Sequence, residues 1–186
     1  MKILAISGSL RAASINSALL RAAAALAPRH MSIKLCSDIG GLPLFNPDDE
    51  NRPAAIIARF RADVAEADAL LIASPEYAHG VAGALKNALD WLVSFEPFAE
   101  KPVAVFNASP RAHHADDALR EILRTMAAVI VERASITIPL LGSHLDEFSM
   151  ASTPAIAASI QTALGALNDS AARRGAPSVQ AGSQGL

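Results

Sequence analysis

The chain has 186 residues, of which 52% are hydrophobic and 18% charged, with a formal net charge of -2. That length supports one domain with a sizeable core, and that hydrophobic content excludes a disordered chain. The near-neutral balance argues against a nucleic-acid partner or a polybasic membrane contact, while leaving room for a local basic site.

One cysteine, Cys36, permits no internal disulfide, which suits a reducing compartment. The opening MKILAISGS is too short an apolar run for a signal peptide. No stretch approaches the roughly 18–20 apolar residues of a membrane helix, so a cytoplasmic protein is the expectation.

In chain order, KILAIS (2–7) reads as a buried strand and Asn16–Ala27, rich in Ala and Leu, as a helix. MSIKLCS (31–37) alternates like a second strand. Two glycines and three prolines make 38–53 a loop. Ala54–Ala67 has helical spacing, with Ile57, Phe60 and Val64 on one face. A third strand covers 67–74, and a helix with Leu85, Leu89 and Leu92 on one face covers Gly83–Ser94. A fourth strand covers 102–109, and Ala115–Ala128 forms a helix with Leu119, Ile122, Leu123 and Met126 inward. Arg133–Pro139 reads as a fifth strand and Pro154–Arg173 as a final helix. Residues 1–174 read as a single domain, and the aperiodic tail 175–186 as disordered. Five strands alternating with helices imply a parallel sheet covered on both faces. Ligands of such folds sit beyond the carboxyl ends of the strands, so the loops after the first, third and fourth strands are the informative ones.

The first loop, SGSLRAASIN, collects Ser9, Arg11, Ser14 and Asn16 at a helix start. A helix N-terminus carries unpaired N–H groups and attracts anions. Gly8 suits a sharp turn. The loop lacks the glycines of a dinucleotide fingerprint and the Gly-Lys-Ser/Thr of a Walker loop. It fits a phosphate cradle or ordinary capping by Ser14 or Asn16. The second, SPEYAHGVAGALKNALDW, sets Tyr77 and His79 where the chain leaves the sheet, with Gly80 and Gly83 nearby. It suits either a flat polar ligand or side chains packed on neighbouring loops.

Together these segments resemble the NADPH-dependent FMN reductases, flavodoxin-like proteins that include quinone, azo-dye and chromate reductases. The family's first loop reads G-S-x-R-x-x-S-x-N, matched by Gly8, Ser9, Arg11, Ser14 and Asn16. Its second reads P-E-Y-N-x-S-x-P-G-x-L-K-N-A-x-D-W, matched by Pro75, Glu76, Tyr77, Gly83, Leu85, Lys86, Asn87, Ala88, Asp90 and Trp91. The chain departs at Ala78, Gly80 and Ala82. It also departs after the fourth strand, where Ser109 is present but the paired glycines are not. The resemblance runs from Met1 to about Leu167.

The resemblance implies a flavodoxin-like α/β fold with strand order 2-1-3-4-5. It implies an FMN-dependent oxidoreductase that passes electrons from NADPH or NADH to a small acceptor such as a quinone, free flavin, azo compound or metal oxyanion. Ser9, Arg11, Ser14 and Asn16 would bind the FMN phosphate, helped by the backbone N–H groups of Ile15 and Ser17. Pro75, Glu76, Tyr77, Ala78 and His79 would flank the ribityl chain and ring, and Ser109 the pyrimidine edge. The flavin carries the hydride, so no catalytic side chain is required. A homodimer or homotetramer is implied. A flavodoxin-like electron carrier, or a flavin-binding regulatory protein without turnover, are the alternatives; a net charge of -2 is low for a carrier.

Other candidates have plainer readings. RAHHADD (111–117) reads as a solvated helix start rather than a metal site, with Arg111 or His113 able to reach a flavin or substrate. Cys36 reads as a core residue, Glu76 as a binder of backbone groups rather than a base, and Trp91 as core or interface.

Overall fold

The computed structural model describes residues 1–175. Strands β1 (Lys2–Ser7), β2 (Ser32–Cys36) and β3 (Ala69–Ala73) lie side by side and parallel, with β1 between the other two. Strand β6 (Pro102–Asn107) adds to β3. Between β3 and β6 the chain makes a small antiparallel hairpin, β4 (Glu76–Tyr77) and β5 (Gly80–Val81). The far edge is split. Val129–Ile130 (β7) pairs with the start of β6 and Ile136–Thr137 (β8) with its end. The sheet order is thus β2-β1-β3-β6, then β7 and β8, all parallel, a flavodoxin-like arrangement.

Of the expected fifth strand over 133–139, only Ile136–Thr137 is a strand, and the other short piece, Val129–Ile130, lies ahead of that range. A 3-10 turn at Glu132–Ala134 interrupts the extended run. There Ser135 Oγ donates to the Val131 carbonyl and accepts from the Val105 N–H, so a side chain replaces one rung of the ladder.

β3 is buried at every residue, and so is β6, as expected of strands covered on both faces. Alternate residues feed two cores. Ile3, Ala5, Leu71, Ala73, Ala104 and Phe106 face α1 (Ile15–Leu26), α5 (Glu147–Ser152) and α6 (Pro154–Gly175). Leu4, Ile6, Leu70, Ile72, Val103 and Val105 face α2 (Ala55–Glu66), α3 (Gly83–Asp90) and α4 (His113–Thr125). None of the described helices is long and apolar enough to cross a membrane. The tail assigned to 175–186 lies, from residue 176 on, outside the described residues.

The motif residues of α3 turn out to hold a loop. Asn87 Oδ1 accepts from the Phe45 N–H at 2.8 Å, and its Nδ2 donates to the Pro43 carbonyl at 2.9 Å. Trp91 Nε1 donates to the same carbonyl at 2.9 Å, while the Trp91 ring meets Phe45 edge-on at 5.0 Å. Trp91 is fully buried. These contacts tie the long segment after β2 to the second core.

Candidate active site

A cavity of 750 Å³ opens at the carboxyl ends of β1, β3 and β6, within the range of cofactor sites. Its floor is the three loops that follow those strands. Ser9, Arg11, Ser14, Ile15 and Asn16 come from the first, Pro75, Glu76 and Tyr77 from the second, and Ser109 and Arg111 from the third.

The first loop is pinned before it reaches α1. Gly8 N–H donates to the Ala73 carbonyl at 2.8 Å. A Cβ on Gly8 would lie 2.5 Å from Ser74 Oγ and 3.3 Å from Leu85 Cβ. Glycine is needed here so that the first and second loops can touch. Ser14 caps α1, its Oγ accepting from the Ser17 N–H at 3.3 Å. Ser9 Oγ accepts from the Arg11 N–H at 3.4 Å. Each hydroxyl still has its O–H to donate. The Ile15 and Asn16 N–H groups have no partner among the described residues, whereas the Ser17 N–H is used by the cap. Asn16 is 5% exposed, and its Oδ1 is buried with no hydrogen-bond partner. A buried amide oxygen left unpaired costs roughly 1–3 kcal/mol and is relieved only by a hydrogen-bond donor; the Nδ2 of the same amide, which can donate to an anion, has no partner among the described residues. Capping and anion binding are thus compatible here.

The second loop is fastened to the third. Glu76 Oε2 accepts from the Ala115 N–H at 2.9 Å. It caps α4, whose own N-cap residue, Ala112, supplies no side-chain bond. Ala78 and His79 form the hairpin turn, with φ of 48° and 58°, and neither lines the cavity. The His79 ring stacks on His114 at 4.3 Å, and His114 lies 4.0 Å from His113. Ring faces stacked this way are poor at sharing one cation, and no cluster of metal-ligating side chains that could hold an ion occurs among the described residues. Gly80 has only the Tyr77 carbonyl near a built Cβ, and Gly83 has nothing. Neither glycine is there for close approach.

The third loop is braced internally. Asn107 Oδ1 accepts from the Ser109 N–H at 2.9 Å and its Nδ2 donates to the Ala112 carbonyl at 3.3 Å. The Arg111 N–H donates to Ser109 Oγ at 3.2 Å.

Sequence reasoning missed the remaining wall, formed by Leu140–Gly142, His144–Glu147 and Arg21. Arg21 grips Glu147 with two bonds, at 3.0 and 3.2 Å, tying α1 to α5. This hydrogen-bonded guanidinium holds the Glu147 carboxyl below the usual range. Asp146 caps α5 by accepting from the Ser149 N–H at 2.8 Å, and its carboxyl is lowered by its bonds to Ser149. The only local signal for this cap was Asp146 itself, an N-cap residue type, since its donor is a backbone N–H. The ion pair, spanning 126 residues, had no local signal.

Comparison with known proteins places the chain in a family. The family model for NADPH-dependent FMN reductases matches residues 1–140. An NAD(P)H-dependent FMN reductase of Pseudomonas aeruginosa is 50% identical over 113 residues, which are 59% of this chain and 60% of that protein. A quinone reductase of Escherichia coli K12 is 34% identical over 59% of this chain and 60% of its own. The aligned part thus spans less than two thirds of these relatives. Among solved structures, the flavoenzyme NAD(P)H:(acceptor) oxidoreductase of Paracoccus denitrificans superposes with a TM-score of 0.78 over 90% of this chain and 97% of that one, at 23% identity. That likeness shows the fold.

Proposed function

Because the chain belongs to the NADPH-dependent FMN reductase family, we propose that it is an FMN-dependent oxidoreductase taking electrons from NADPH or NADH to a small acceptor such as a quinone. One observation carries this reading. Donors without partners among the described residues converge at the start of α1: the Ile15 and Asn16 N–H groups, the Ser9 and Ser14 hydroxyls and the Arg11 guanidinium. That donor set fits a phosphate dianion.

In this reading Arg11, the hydroxyls of Ser9 and Ser14, the Asn16 amide and the N–H groups of Ile15 and Asn16 hold the phosphate. Pro75, Glu76 and Tyr77 bound the ribityl chain and the ring, and Ser109 borders the ring's far edge. Ser17, Ala78 and His79 act indirectly. Ser17 completes the cap, and its Oγ lies 2.8 Å from Ser7 Oγ. Ala78 and His79 shape the turn that presents Tyr77. When bound, FMN supplies hydride chemistry, accepting from a reduced nicotinamide and passing electrons on. The protein binds, orients and shields. Residues 1–174 act as one FMN-binding unit in the cytoplasm, as a homodimer or homotetramer. Leu44 and Val93, 85% and 63% exposed, are apolar side chains a partner copy would cover.

The test is spectroscopic. Purified protein is expected to bind FMN, and the bound flavin to bleach rapidly on anaerobic addition of NADPH. Arg11→Ala is expected to weaken FMN binding by about 10- to 150-fold, the loss of a charge-assisted hydrogen bond. Bound flavin that stays oxidised with NADPH but is reduced by a partner protein would make this a carrier. Absence of FMN binding would point to a regulatory protein and end the reductase reading.

A further inference from the structure

A loop that follows a strand commonly offers a ligand its backbone N–H groups, and the turn of the third floor loop has spent its own. The Ser109 N–H donates to Asn107 Oδ1 at 2.9 Å, the Arg111 N–H to Ser109 Oγ at 3.2 Å and the Ala112 N–H to the Ser109 carbonyl at 3.0 Å. Pro110 has no N–H to give. The Asn107 amide is used within the same turn. Two donors are left for the cavity, the Ser109 hydroxyl and the Arg111 guanidinium.

Arg111 is the charged one, and its charge is uncancelled. It has no ion pair and no side-chain hydrogen bond among the described residues, and it is exposed where it lines the cavity. The carboxylates nearby are committed elsewhere. Glu76 holds the Ala115 N–H, Asp146 holds the Ser149 N–H and Glu147 holds Arg21. β6, which leads to Arg111, and β1, which leads to the phosphate loop, are separated in the sheet by β3. At about 4.8 Å per strand, their loops leave the sheet about 10 Å apart. A phosphate held at the α1 start therefore runs the ribityl chain past the second loop and brings the ring to the third. One edge of that ring carries methyl groups, and the pyrimidine edge carries carbonyls and nitrogens. Only the pyrimidine edge matches a hydroxyl beside a guanidinium.

We propose that Arg111 donates to the N1 and C2-carbonyl edge of the flavin and holds the negative charge which that edge gains on reduction, so that this side chain raises the reduction potential of the bound cofactor. This rests on the reductase reading above. Hydride passing from the nicotinamide to flavin N5 oxidises the donor and leaves the ring with one additional negative charge, spread over N1 and the C2 carbonyl. The oxidised ring presents a neutral acceptor at the same place. A charge-assisted hydrogen bond is stronger than a neutral one, so the guanidinium favours the reduced state over the oxidised one. Charge beside the ring is among the means by which a protein tunes a flavin.

The experiment measures the midpoint potential of the FMN-loaded protein by anaerobic dithionite titration against a reference dye, and the Kd of oxidised FMN by flavin fluorescence. Arg111→Ala is expected to reduce the preference for reduced over oxidised FMN about tenfold. For a two-electron couple that factor is a fall of about 30 mV in midpoint potential. Arg111→Gln, which keeps a donor without the charge, is expected to show most of that fall while binding oxidised FMN within about twofold of the wild type. Arg111→Lys, which keeps the charge without the fork, is expected to retain at least half of the potential difference. An Arg111→Ala protein that holds FMN at the wild-type potential would overturn the proposal and leave the reductase reading standing. So would one that loses oxidised and reduced FMN in equal measure, or an Arg111→Gln protein at the wild-type potential. A wild type that binds no FMN would remove both.

Discussion

Single residues set the strain and the stiffness of this site. Gly8 sits where two loops touch, and any side chain there collides with Ser74. Gly8→Ala is expected to cost about 1–3 kcal/mol as an overpacked contact, seen as a lower urea midpoint, and to weaken FMN binding with it. Ala78 has the opposite character. It adopts a left-handed conformation that costs a residue with a Cβ roughly 1–2 kcal/mol. Asn or Gly is suited to that place in a two-residue hairpin turn. Ala78→Asn is therefore expected to raise Tm by about 1–3 °C in calorimetry. The stack of His79 on His114 partly holds the strained turn in place, so His114→Ala is expected to lower the Tm of the wild type more than that of the Ala78→Asn protein.

Among the elements, those with strong periodicity were legible in the sequence and the shortest were not. The buried runs of β1, β3 and β6 and the apolar faces of α2 and α4 announce themselves by composition and spacing. The β4–β5 hairpin does not, because Ala78-His79 lacks the Asn-Gly signature of its turn. α5 has six residues, too few for a period to show. Of the site, the floor was legible because it follows strands, and the α5 wall was not, because a distant ion pair holds it. That wall makes its own prediction. Glu147 and Asp146 have pKa values below their unfolded values, so their contribution is complete above the usual carboxylate range and is lost as pH falls through the lowered values. Hydrogen exchange across 147–152 is expected to accelerate in that acid window. Glu147→Gln is expected to give a two- to fivefold acceleration, roughly, already at neutral pH.

For the whole molecule, the end of the sheet away from the cavity holds Lys101, 3% exposed, its Nζ donating to the Ala67 carbonyl at 2.5 Å. Burial, and then Arg174, push its pKa below the usual lysine value. The unfolded chain therefore binds more protons in the interval between the two values, and Lys101 makes stability rise with pH there. Cys36, whose thiol burial pushes upward, opposes this, since its contribution is lost as pH rises through the raised value. Lys101→Met is expected to flatten the alkaline rise in the urea midpoint and leave the protein as stable as the wild type or more so near neutrality. At the cavity end, one feature reaches further than the site it was described for. The Gly8–Ala73 bond and the Glu76 cap on α4 join the three floor loops to each other and to the sheet, and the opposite wall is tied to α1 through Arg21 and Glu147 and to the third floor loop through the Leu140 N–H bond to the Ala108 carbonyl. Access to the cavity and the geometry of its floor are therefore separable only at rim residues that make none of these bonds. Leu141, 65% exposed, is such a residue: a shorter side chain there is expected to widen the mouth while the floor loops keep their geometry, so changes at the rim and in the floor can be combined additively.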